Sequence, residues 1–264
     1  MKTKFNLSLI LTAILVASHS LAQTNAPAAL PSNANVIASN AWVVAPPGTQ
    51  IGPACVPATR DNPANWMSRH EKFVAQAKRG NIDVLFLGDS ITDNWRSKGS
   101  KVWNEYYAPR HAANFGIGGD RTQHVLWRIE NGELDGIHPK VTVLMIGTNN
   151  SKSDSATDIA RAIGMIIDVV HAKIPDTKIL LLAVFPRNKP ADTPEMLRTI
   201  REVNEKIAAY DNGSSVRFLD IDSKFLGPEG KVHADVMADF LHPTEKGYKI
   251  WAAAMNPTLD EMMK

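Results

Sequence analysis

One cysteine, Cys55, is all the thiol this 264-residue chain contains. An internal disulfide is therefore excluded, and Cys55 lies too far from the amino terminus to carry a lipid anchor behind an export signal. A small apolar filler is its expected role. Excess charge of either sign is also missing. Lys and Arg number 29 against 27 Asp and Glu, and removing residues 1–22, which hold Lys2 and Lys4 and no acid, leaves the balance even. Nothing electrostatic calls for a nucleic acid or an anionic membrane as partner. Long apolar runs are scarce too. Residues 7–17 come nearest, but they fall short of the roughly 20 residues a spanning helix needs and are interrupted by Ser8 and Thr12. No internal repeat is found.

What the amino terminus does have is the pattern of a secretory signal. Lys2 and Lys4 precede the apolar stretch, and Ser20-Leu21-Ala22 places small residues where a signal peptidase cuts. The expectation is a signal peptide over 1–22, a mature protein from near Gln23, a secreted or periplasmic location, and no membrane segment after cleavage. Residues 23–60 are rich in Ala, Pro, Asn and Ser, include Pro46-Pro47-Gly48, and sustain no period. They read as a linker or extension, draped on the domain near Trp42-Val43-Val44. One domain is expected over 61–264. Asn62-Pro63 supplies a cap and first turn, and Trp66, Phe73 and Ala77 keep a helical stripe up to Gly80.

Five short apolar runs follow, at 83–87, 112–117, 141–146, 179–185 and 216–221, each bounded by turn residues. Unbroken runs imply strands buried on both faces. Between them Ile159, Ile163, Ile166 and Val170 form one helical stripe behind Ser155, and Met196, Ile200, Val203 and Ile207 form another behind Thr193-Pro194. Strand and helix alternating this often predict an α/β fold, a three-layer α/β/α sandwich around a five-stranded parallel sheet with right-handed crossovers.

Such folds gather function at the carboxyl ends of their strands. The first run ends in Gly88-Asp89-Ser90, delivering a hydroxyl into a turn that opens a helix. After the second comes Gly118-Gly119, after the third Gly147-Thr148-Asn149, and beyond the fifth Asp239-Phe240-Leu241-His242. Ester hydrolysis needs a hydroxyl, a base, a carboxylate to orient the base, and donors for an oxyanion. Taken singly, each part has an ordinary alternative: a tight turn at Gly118-Gly119, a helix cap at Asn149, a surface pair at Asp239 and His242. Together, at successive strand ends, they point to catalysis. A metallophosphoesterase would place two Asp three residues apart and add a Gly-Asn-His block. Here Asp89 and Asp93 are four apart and that block is absent. A non-catalytic binding module on this fold need not retain all five of Ser90, Gly119, Asn149, Asp239 and His242.

These blocks resemble those of the SGNH, or GDSL, hydrolases. Within that family, residues 114–134, NFGIGGDRTQHVLWRIENGEL, are closely similar to the catalytic subunits of intracellular platelet-activating-factor acetylhydrolase, and the likeness covers about 83–248. The resemblance implies a flavodoxin-like fold and ester hydrolysis with no metal or other cofactor. It also implies that Ser90 is the nucleophile, His242 the general base and acid, and Asp239 its orienting carboxylate. The backbone N–H groups of Ser90 and Gly119 and the side-chain amide of Asn149 would form the oxyanion hole. Ile91, Thr148 and Leu241 match the positions that close the acyl side of the pocket and limit it to acetyl. Asp89 is expected to brace its own loop. The resembled subunits are cytosolic, so the export signal is a departure. The expected substrate is an O-acetylated carbohydrate, with a lipid or phospholipid acetyl ester as the alternative, and a homodimer is left open.

Overall fold

The computed structural model describes residues 50–264, so the signal sequence and the chain through Trp42-Val43-Val44 lie outside the described residues. Seven α-helices and five strands follow one another along the described chain. Helix α1 (Ala64–Arg79) precedes strand β1 (Val84–Gly88), and α2 (Ser90–Asp93) and α3 (Ser100–Tyr106) lead to β2 (Ala112–Asn114). Then come α4 (Thr122–Arg128), β3 (Val141–Met145), α5 (Ala156–Lys173) and β4 (Lys178–Leu182). The chain closes with α6 (Pro194–Ala208), β5 (Val216–Leu219) and α7 (Glu245–Met262).

All strand pairs are parallel, in the order β2-β1-β3-β4-β5, with Val84 opposite both Ala112 and Val141 and Ile179 opposite Val216. Because side chains alternate across a strand, each strand feeds two cores. Leu85, Leu87, Leu144, Ile179 and Leu181 meet the apolar faces of α1, α4, α5 and α6 on one side. Val84, Phe86, Val143, Leu180 and Leu182 meet α3 and α7 on the other, around Trp95, Tyr248 and Trp251. This is the expected three-layer α/β/α architecture.

Local signals act as their chemistry demands. Ser155 and Thr193 cap α5 and α6 by accepting from Asp158 N and Met196 N, and Gly80 closes α1 with φ 68°. The cap of α1 differs from expectation: Pro63, not Asn62, stands at the cap position and no side chain bonds there. Several strands also end sooner than their apolar runs. Phe115 N still donates to Phe86 O and Ile117 N to Gly88 O, but the chain leaves the regular ladder after Asn114, as the loop there turns toward the site. Within the expected linker, the described part is stitched to the domain. Ala54 and Cys55 are buried, Thr122 Oγ1 donates to Ala54 O, and the Cys55 thiol points at Asp158 O, 3.3 Å away. Burial pushes that thiol up to about 11, so it remains protonated, in keeping with a filler. Among the described residues no helix is long and apolar enough to cross a membrane.

Candidate active site

With this strand order the chain reverses its progress at β1, and a crevice opens between the carboxyl ends of β1 and β3. Ser90 is the first helical residue beyond β1 and sits at that crevice. The turn into it is tight: a Cβ on Gly88 would lie 2.5 Å from Met145 O, so only glycine fits. Asp89 Oδ1 accepts from Ile91 N at 2.9 Å and caps α2. The loop-bracing role expected for Asp89 is the one seen. Burial pushes its carboxyl up to about 7 against the pull of that N–H, because a charge there has almost no water.

Ser90 Oγ lies 2.9 Å from His242 Nε2, although the two are 152 residues apart. On the far side of the ring, Nδ1 is 2.9 Å from Asp239 Oδ2. An ionised carboxylate only accepts, so Nδ1 carries the proton and Nε2 of the neutral ring is left to accept from the serine hydroxyl. Asp239 Oδ1 meanwhile accepts from His242 N at 2.8 Å and Leu241 N at 3.3 Å, a turn made by Phe240 at φ 60°. Burial acts to raise the Asp239 carboxyl, yet the His242 N–H, the His242 ring and the Lys189 ammonium hold it well below the usual carboxylate range.

Gly119 has φ 80°, a backbone conformation that favours glycine, and the Arg60 guanidinium lies against it. Its neighbour Gly118 adjoins the serine: a Cβ on it would be 3.7 Å from Ser90 Cβ. The helix-cap alternative for Asn149 is not what the structure shows. Its side chain makes no cap bond, and Nδ2 donates to Asp120 O at 2.9 Å, tying the turn after β3 to the glycine loop. The loop is anchored from beneath as well. Asp120 is fully buried and accepts from Trp66 Nε1 (2.8 Å) and Arg128 Nε (2.9 Å), with Arg60 Nε 3.6 Å away. Arg128 continues to Glu133, which His70 meets at 2.9 Å. Burial pushes the Asp120 carboxyl up, and Arg128 and Trp66 pull it back.

Ile91 and Leu241 pack into the apolar cluster under α7, and Thr148 Oγ1 accepts from Arg187 Nη1 at 3.2 Å. None of the three lines the cavity of about 570 Å³ beside the histidine. That cavity borders Asp239 and His242 and is lined by Asn94, Ser97, Lys98, Ser100, Lys101 and Glu245 among others. The loop after β4, to which the sequence alone assigned nothing, reaches the site at three points. Arg187 bonds Thr148, Asn188 N donates to Phe240 O, and Lys189 Nζ lies 3.1 Å from Asp239 Oδ2. The only local signal is two cations between Pro186 and Pro190 at a strand end. Among the described residues no three His, Cys, Asp or Glu side chains are grouped to hold a metal ion.

Residues 86–250 match the family model described as the GDSL-like Lipase/Acylhydrolase family. The chain is 38% identical over 204 residues to platelet-activating factor acetylhydrolase IB subunit alpha2 of Rattus norvegicus, covering 74% of this chain and 85% of that one. It is 39% identical over 196 residues to the alpha1 subunit of Homo sapiens, covering 74% and 82%. Two solved structures share the fold. A GDSL-like lipase from Bacteroides thetaiotaomicron aligns with TM-score 0.58 at 20% identity over 76% of this chain and 98% of that one. An acetyl-xylooligosaccharide esterase from Geobacillus aligns with TM-score 0.52 at 20% identity over 68% and 93%. The chain belongs to the GDSL-like lipase/acylhydrolase family, the SGNH hydrolases, and is a carboxylic ester hydrolase.

Proposed function

We propose that this hydrolase removes acetyl groups from O-acetylated carbohydrates, using Ser90, His242 and Asp239 as a catalytic triad. The observation that carries the chemistry is the continuous hydrogen-bonded chain from Ser90 Oγ through the His242 ring to Asp239. His242 Nε2 takes the serine proton as Oγ bonds to the ester carbonyl carbon, and Asp239 stabilises the imidazolium. The tetrahedral oxyanion is received by Ser90 N–H, at the first turn of α2 where backbone donors have no helical partner, with Gly119 N–H and the Asn149 amide. His242 then returns its proton to the departing alcohol oxygen. Water, activated in the same way, cleaves the acyl-serine bond and releases acetate.

The alcohol leaves on the side of Nε2, so the cavity beside His242 is where the alcohol part belongs. Its lining of Asn94, Ser97, Ser100, Lys98 and Lys101 offers donors and acceptors to the hydroxyls of a sugar, beside apolar surface from Ala238 and Pro243. The second reading, an acetylated phospholipid, is favoured by the 38% identity to platelet-activating factor acetylhydrolase subunits. Export, the location proposed with the carbohydrate reading, rests on the amino-terminal signal pattern. Purified protein should hydrolyse p-nitrophenyl acetate, and folded Ser90→Ala should lose several orders of magnitude in turnover. Acetate release should be faster from acetylated xylo-oligosaccharides than from a short-chain acetyl phospholipid. The reverse order would move the function to lipid.

A further inference from the structure

Three consecutive residues of the β4–α6 loop each engage a different part of the proposed machinery. Arg187 is nearly buried; its Nη1 donates to Thr148 Oγ1, one residue before Asn149, while Nε donates to Asp192 at 2.9 Å. Asn188 N donates to the carbonyl of Phe240, inside the turn between Asp239 and His242, and Asn188 Oδ1 accepts from Val232 N at 2.9 Å. Lys189 N is fixed to Asp192 Oδ2 at 2.8 Å, and Lys189 Nζ donates to Asp239 Oδ2, the same oxygen that receives His242 Nδ1. The bonds run 39, 52 and 50 residues along the chain, so nothing local imposes them.

We infer that Arg187, Asn188 and Lys189 form a positioning clamp that registers the Asp239–His242 pair against the Thr148–Asn149 turn, and that Lys189 sets how readily His242 takes a proton. The inference rests on the triad reading above. The backbone bond from Asn188 fixes the turn that carries the histidine, and the guanidinium fixes the turn that carries the oxyanion amide. Relative placement of base and oxyanion donor is what such a site depends on, since small misplacements cost large factors in rate. The ammonium acts electrostatically. It shares the Asp239 carboxylate with the ring, so less of that negative charge is left to favour the imidazolium.

Other charged groups stand around the site, and each is held elsewhere or lines the cavity. Glu245, at the start of α7, is held by Lys101 of α3 at 3.1 Å and by Lys249 at 2.9 Å. Lys98 lines the same cavity. Asp89 lies buried before Ser90, and Asp192 is occupied by Arg187. Lys189 is the cation bonded to Asp239 itself.

The test is the pH dependence of kcat/KM for p-nitrophenyl acetate in the full-length protein. Without the ammonium, Asp239 favours imidazolium more strongly, so neutral His242 is lost at higher pH. Lys189→Met should move the acid limb up by about half a pH unit, the scale of a part-exposed charge pair, with KM unchanged. Lys189→Arg should restore it. Arg187→Lys, which keeps the charge but loses the fork to Asp192, should lower kcat about tenfold and leave the limb in place. A folded Lys189→Met with an unmoved limb, or an Arg variant that behaves like Met, overturns the clamp's electrostatic part. An Arg187→Lys enzyme with normal kcat overturns its positioning part. Failure of the triad reading itself would show separately, as retained activity in Ser90→Ala.

Discussion

Asn149 has two amide hydrogens, and one is spent on Asp120 O. The other is the donor available to an oxyanion, so removal of the side chain should have two separable effects. Asn149→Ala should lower kcat by about 10²–10³ with little change in KM, because that contact forms mainly in the transition state. The same variant should lose about 1 kcal/mol of stability from the missing bond to the glycine loop. Kinetics and thermal melts on one preparation check both, and a stability loss with normal kcat would leave Asn149 a loop tie only. Asp89 supports a prediction of opposite kind. Burial raises its folded carboxyl from 3.8 to about 7, so between those values the folded state holds a proton that the unfolded chain has released. Stability linked to this group is therefore full below about pH 4 and is lost as pH rises through about 7. Asp89→Asn keeps the acceptor for Ile91 N and has no proton to lose. The melting temperature of the variant relative to the parent should climb steadily from pH 4 to pH 7.5, and a constant difference would mean the carboxyl is already ionised.

The glycine loop between β2 and α4 has no regular structure of its own, and its shape comes from what grips Asp120. Trp66 on α1 and Arg128 on α4 hold that carboxylate from two helices, fixing the residue next to Gly119. Trp66→Phe removes one donor to a buried anion while keeping most of the ring. It should cost about 1–3 kcal/mol in stability, and kcat should fall further than that of a variant equally destabilised elsewhere. Equal kcat in the two would show that the loop keeps its shape without Trp66. This grip also marks the limit of what the chain announces in its sequence. Ser90, Gly119 and Asn149 stand out as candidates because each sits in a short motif just past a strand, Asp239 and His242 because they are paired in a motif ahead of the last helix, and the apolar runs placed the five strands. The β4–α6 loop could not. Its bonds to Thr148, Phe240 and Asp239 join residues with no shared period, and a lysine on a carboxylate 50 residues away looks like any surface charge. The ends of the strands are hidden in the sequence for a related reason. Phe115, Ile117 and Phe185 are as apolar as the ladder residues before them, but they are buried beneath the site, past the last paired positions.

Across the whole molecule, buried titrating groups pull stability in opposite directions. Asp222, pushed up to about 8 by burial and by Asp220, loses its contribution as pH rises, as Asp89 does. His124, pushed down from 6.5 to about 4 by burial and Arg60, is held neutral in the fold and adds stability as pH rises between those values. The two effects oppose each other up to about pH 6.5, and above it the carboxyls act alone. The melting temperature should therefore fall between pH 6.5 and 8, and Asp222→Asn should flatten the fall; a rising curve there would contradict the buried-carboxyl account. The sheet order has a consequence in time as well as in space. β1 must wait for β3 before its second edge is paired, and Ser90 must wait for a histidine 152 residues further along. Contacts of such sequence separation close late in folding, after helices and local turns have formed. Under the proposed triad, catalytic competence is then a clock for the final docking of the Asp239–His242 turn, and in a refolding experiment ester turnover should return measurably later than the far-ultraviolet helical signal. Coincident recovery of the two would mean that Ser90 and His242 meet as early as the helices form.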